Sequence, residues 1–127
     1  MLKIQRVAAE TVGQVLSGRS LNHVLDAVWR REGQLSRAER GAIQDLSYGT
    51  LRHLGRLNAV LDQLAPRPVA NSHLRTLLLV ALYQLEYSDA APYAVVDHAV
   101  ECAAQIAGRQ TKGFANAVLR NFQRNRE

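Results

Sequence analysis

The sequence holds a single cysteine, Cys102, and no disulfide framework can be built from one thiol. Four scattered histidines, His23, His53, His73 and His98, lack metal-ligand spacing, so no zinc site is expected. Strand signals are nearly missing as well: no stretch alternates apolar and polar residues for long between turn residues. The longest apolar run, residues 77–82, is far too short to span a bilayer, which speaks against a membrane protein. Lys3, Arg6 and Glu10 interrupt the N-terminus, which has no apolar core of a signal peptide, and a cytoplasmic location is expected. Glycine-rich phosphate loops are absent too, because the eight glycines sit singly. Lysine occurs only at Lys3 and Lys112.

What is present is arginine and helical periodicity. Fourteen of the sixteen cations are arginine, in a chain of 127 residues with net charge +5. Arginine offers planar, bidentate donors suited to phosphate and base edges. A mildly basic surface without a partner is the competing reading of the same composition. Apolar residues make up 47% and charged ones 21%, which excludes disorder and suits one domain over residues 1–127.

The periodicity predicts an all-α bundle of six to seven helices. Ile4, Val7, Ala8, Val12, Val15 and Leu16 form a first stripe, closed by Gly18. Ser20 caps a second helix carrying Leu21, Val24, Leu25, Val28 and Trp29. Ser36-Arg37-Ala38-Glu39 is a capping-box pattern. It opens the longest periodic segment, which runs through Ile43, Leu46, Thr50, Leu54, Leu57 and Leu61 to a stop at Pro66 and Pro68. Gly49 and Gly55 inside it predict a bend or the close approach of another helix. The next helix, from Ser72 to about Tyr87, is apolar almost all round and belongs at the centre, with Leu78, Ala81, Leu82 and Leu85 buried. Pro92 starts a fifth helix that halts at Gly108. A last one carries Phe114, Ala117, Val118 and Phe122, and the tail, residues 123–127, reads as a helix end running into a linker or into solvent.

Catalytic constellations are not legible. Asp97 and Glu101, four apart on an exposed helix face, read as a solvated pair, and Cys102 among Val100, Ala103 and Ala104 reads as a packing residue. The chain alone is therefore not expected to be an enzyme. The basic positions are more informative. Arg30 and Arg31 at a helix C-terminus suit the dipole, but Arg37 and Arg40 at an N-terminus do not. Pairing with Glu39 or Asp45 explains them, or else a partner does. Arg120 and Arg124 share a face with no acid before Glu127, open to RNA contact or plain solvation. Lys3, Arg6, Arg37, Arg40, Lys112, Arg120 and Arg124 are the candidate phosphate contacts.

Four strings in order carry a resemblance. They are Gln44-Asp45-Leu46-Ser47-Tyr48-Gly49-Thr50-Leu51-Arg52, then Ala81-Leu82-Tyr83-Gln84-Leu85, then Ala91-Pro92-Tyr93-Ala94-Val95-Val96-Asp97-His98-Ala99-Val100, then Gly113-Phe114-Ala115-Asn116-Ala117-Val118-Leu119-Arg120. Together they resemble the N-terminal, NusB-like domain of the bacterial small-subunit ribosomal RNA cytosine-C5 methyltransferase family (RsmB/Sun/Fmu). The resemblance implies two small helical bundles sharing long helices. It implies ribosomal RNA and the parent's own methyltransferase domain as partners. S-adenosylmethionine is implied as cofactor of the parent, with none for this stretch of chain. A stand-alone NusB-type antitermination factor and a helical protein–protein adaptor are the alternatives.

Overall fold

The computed structural model describes residues 2–126, and every element among them is helical. Seven α-helices run in order: α1 (Leu2–Leu16), α2 (Leu21–Arg31), α3 (Arg37–Arg52), α4 (Leu54–Leu64), α5 (Ser72–Tyr87), α6 (Pro92–Ala107) and α7 (Lys112–Arg126). A single 3-10 turn, Arg109–Thr111, precedes α7.

Local chemistry sets most of the boundaries. The Ser20 hydroxyl accepts from the His23 amide at 3.2 Å and starts α2. At Ser36 the expected capping box is complete: the Glu39 amide donates to Ser36 Oγ at 3.1 Å, and the Ser36 amide to Glu39 Oε1 at 2.8 Å. Asn71 caps α5 through the Leu74 amide, and Pro92 occupies the first turn of α6. Gly108, at φ 96° and ψ 152°, takes a positive-φ conformation open to glycine and ends α6.

One boundary differs from the periodicity. The long third segment is two helices, broken at His53 and not at a glycine. His53 adopts φ −106° and ψ 21°, a one-residue kink that keeps the apolar spacing in phase on both sides. The basic tail is the end of the last helix, as expected, and it is anchored to a neighbour. α7 continues to Arg126, which donates to the Leu85 carbonyl and pairs with Glu86 at 3.6 Å.

Two cores share the long helices, as the resemblance implies. The smaller one joins Val7, Val24, Leu25, Val28, Leu35 and Ile43 from α1, α2, the turn after it and α3. The larger is organised on α5, where Leu77, Leu78, Leu79, Val80, Ala81 and Leu82 are all at most 1% exposed. α1 serves both, sending Val7 to the first and Ala8, Ala9 and Val12 to the second. Its last stripe position, Leu16, is instead 47% exposed, at the mouth of a cleft between α1, α4 and α5. Inside the larger core, Gln5 Nε2 donates to Gln84 Oε1 at 2.8 Å and to the Val95 carbonyl at 3.3 Å. That bond brings the start of α1, the end of α5 and the start of α6 to one end of the molecule. The contact of Arg126 with Leu85 adds the end of α7 to the same end.

Candidate nucleic-acid interface

The seven candidate cations fall into two groups, and most are already engaged. Around the α2–α3 turn, Lys3 Nζ lies 3.0 Å from Glu32 Oε1, while Arg31 bridges Glu32 (3.2 Å) and Glu10 (3.5 Å). Arg6 completes the row at 3.7 Å from Glu10. Hydrogen bonds from Lys3 and then Arg31 hold the Glu32 carboxyl below its ordinary pKa, so it stays ionised. Arg37 is exposed and makes no ion pair among the described residues. Arg40 pairs with neither Glu39 nor Asp45; its guanidinium lies over the Trp29 ring, 5.5 Å from the centroid. Glu39 is occupied by the Ser36 cap.

The second group lies along α7. Lys112 is held by Glu101 at 2.9 Å, which corrects the expectation that the cations of this helix have no acid nearby. The acid comes from the neighbouring α6, where Asp97 and Glu101 are both exposed, as expected, and Glu101 reaches across to Lys112. Arg120 Nε bonds Asn116 Oδ1 at 3.2 Å one turn back, and Arg124 is exposed. Lys112 and Arg124 are twelve residues apart on one helix, roughly 18 Å at 1.5 Å per residue. The cations therefore form a row and not a cluster, with Arg124 at the end of the molecule that also carries Lys3.

Sequence reasoning missed an aromatic group at that end. His53 stacks on Tyr87 with ring centroids 4.2 Å apart and planes 16° from parallel. Tyr83 packs against Tyr87 at 5.3 Å and lies 6.2 Å from His53. Gly49 makes room for this: a Cβ there would stand 2.1 Å from Tyr83 Cζ. Burial, then the nearby Asp45 charge, pushes the Tyr83 hydroxyl pKa up, so it stays neutral. Arg56 binds Glu86 at 2.6 Å beside Tyr87, and that carboxylate holds the guanidinium more firmly charged. Exposed Tyr48 and Arg52 lie one turn apart on α3. The available signal was spacing: Tyr48 and Arg52, like Tyr83 and Tyr87, are helical neighbours four apart.

Cys102 is fully buried, and desolvation raises its thiol pKa to about 11. At neutral pH it is a neutral packing group, as its neighbours in sequence suggest.

An all-helical fold with two cores sharing α1, and a surface rich in arginine, defines the class: the chain belongs to the NusB family, which matches residues 2–124. Among individual proteins it is similar to the ribosomal RNA small subunit methyltransferase B of Pectobacterium carotovorum subsp. carotovorum (strain PC1), 39% identical over 127 residues. The protein of the same name from Serratia proteamaculans (strain 568) is also 39% identical, and each match covers 98% of this chain. The Yersinia enterocolitica protein of that name is 37% identical over 124 residues, 95% of this chain. The chain spans only 28–29% of the length of these relatives.

Proposed function

We propose that this chain is the RNA-binding domain, residues 1–127, of a cytoplasmic S-adenosylmethionine-dependent methyltransferase that modifies C5 of cytosine in small-subunit ribosomal RNA. Its partners are that RNA and the parent's own methyltransferase domain. The observation that carries this reading is the unequal coverage: nearly all of this chain matches less than a third of proteins named for ribosomal RNA methylation. The residues present do not fit the methyl donor. There is no strand followed by a glycine turn among the described residues, and the one thiol is buried and neutral. The domain's share is recognition, and the 127-residue chain should transfer no labelled methyl group from S-adenosylmethionine to ribosomal RNA. Transfer by a highly purified sample would overturn that assignment.

Lys3, Arg6, Arg37, Arg40, Lys112, Arg120 and Arg124 are the proposed phosphate contacts. Arg37 and Arg124 are ready as they stand, whereas Lys3, Arg6 and Lys112 must share their carboxylates with the incoming phosphate. If about four phosphates are neutralised on a single strand, log K falls against log salt with a slope near −3. Raising salt from about 50 to 200 mM then weakens binding about fiftyfold. Titrating a ribosomal RNA hairpin with the Lys112→Gln, Arg120→Glu, Arg124→Glu variant checks the α7 row. Reduced affinity and a shallower slope are expected, and an unchanged slope removes α7 from the interface. Salt-independent binding of a protein partner, with no RNA bound, would favour an adaptor instead.

A further inference from the structure

We propose that the stacked His53–Tyr87 pair, backed by Tyr83 and rimmed by Arg52 and Arg56, is a shelf on which an unpaired base of single-stranded RNA stacks. This rests on the RNA-binding reading above and locates a second kind of contact, to bases and not to phosphates.

The shelf is built by the break in the long third segment. α3 ends at Arg52, and the kink at His53 places its imidazole on Tyr87 in the last turn of α5. Tyr83, 9% exposed, is fixed between the α3 backbone at Gly49 and the other rings, whereas Tyr87 is 41% exposed. The Arg56–Glu86 bridge stands beside Tyr87 and steadies its rim. The His53 and Tyr87 rings, held 16° from parallel before any ligand arrives, lose little freedom on binding, and every base offers a π face to such a surface.

The chemistry of the rim favours RNA over a polypeptide cover. Arg52 adjoins His53, is exposed, and has no ion pair among the described residues. Glu86 is bridged by both Arg56 and Arg126, so this carboxylate is neutralised, and the Asp45 charge on α3 acts on buried Tyr83 rather than on the exposed Tyr87 rim. Aromatic faces flanked by exposed, unpaired arginine charge match a base and its phosphate, the combination by which single strands are held.

The test is a titration of the 127-residue chain, at about 50 mM salt, with a labelled pyrimidine strand of about eight nucleotides and with a blunt duplex of the same length. Tyr87→Leu should weaken the single strand about tenfold and leave the duplex unchanged, while Tyr87→Phe, which keeps the ring, retains wild-type affinity. Circular dichroism melts verify that each variant is folded. If Tyr87→Leu unfolds, the exposed Arg52→Glu carries the test: it should make the single-strand salt slope shallower by about 0.7. A folded Tyr87→Leu that binds the single strand as wild type does, or an Arg52→Glu with unchanged slope, overturns the shelf while RNA binding stands. Wild-type protein that binds neither RNA overturns the RNA-binding reading itself, and the shelf with it.

Discussion

Leu82→Ala is expected to cost about 2–5 kcal/mol of folding stability, read as a lower midpoint in urea with an unchanged slope. Leu82 is 0% exposed in the middle of α5, in the larger core that also takes residues from α1, α3, α4, α6 and α7. With neighbours on every side, the lost methyl groups leave a cavity that cannot collapse from one direction. A loss within measurement error would mean that α5 is not the element on which the core is organised.

The second large effect is at Gly49. A Cβ there would meet Tyr83 Cζ at 2.1 Å, Oη at 2.3 Å and Cε1 at 2.4 Å. Either the ring swings out of its pocket or α3 lifts from α5. Gly49→Val is therefore expected to destabilise by about 3 kcal/mol, near the top of the usual range for overpacking. The double variant Gly49→Val, Tyr83→Ala should cost less than the sum of the two single changes, because the obstructing ring is gone. Gly55 offers the contrast. Nothing stands within 4 Å of a Cβ at that position, so Gly55→Ala should stabilise by up to about 1 kcal/mol. Strict additivity in the double variant would show that the clash is not the cause.

These two glycines show how far the sequence could be read. Both interrupt one periodic segment, and periodicity treats them alike, as signs of a bend or a close neighbour. Only Gly49 has the neighbour, and the bend is at His53, where the sequence offers no breaker. Signals confined to a few residues were legible: the Ser20 cap, the Ser36–Glu39 box, Pro92 at its first turn and Gly108 at its stop. So was the all-round burial of α5. What could not be read depends on residues far apart in the chain. Lys112 finds Glu101 across a helix pair, and Lys3 finds Glu32 in the turn after α2. Both cations look unopposed when only their own helices are considered. The aromatic shelf was hidden for the same reason, since His53 and Tyr87 belong to different helices.

The hydrogen bond that the Gln5 side chain donates to Gln84 has a consequence for the order in which the chain is made. It links positions 79 residues apart, and the Val95 carbonyl that also receives Gln5 lies 90 residues away. On a ribosome the first helix emerges with the partners for its Val7 face soon behind it, in α2 and α3. The face of Ala8, Ala9 and Val12 waits until α5 has been synthesised, which at about 5–20 residues per second is a delay of several seconds. During that interval the nascent chain carries an apolar strip and an unpaired amide, so the smaller bundle is an early, incomplete stage that chaperones would meet first.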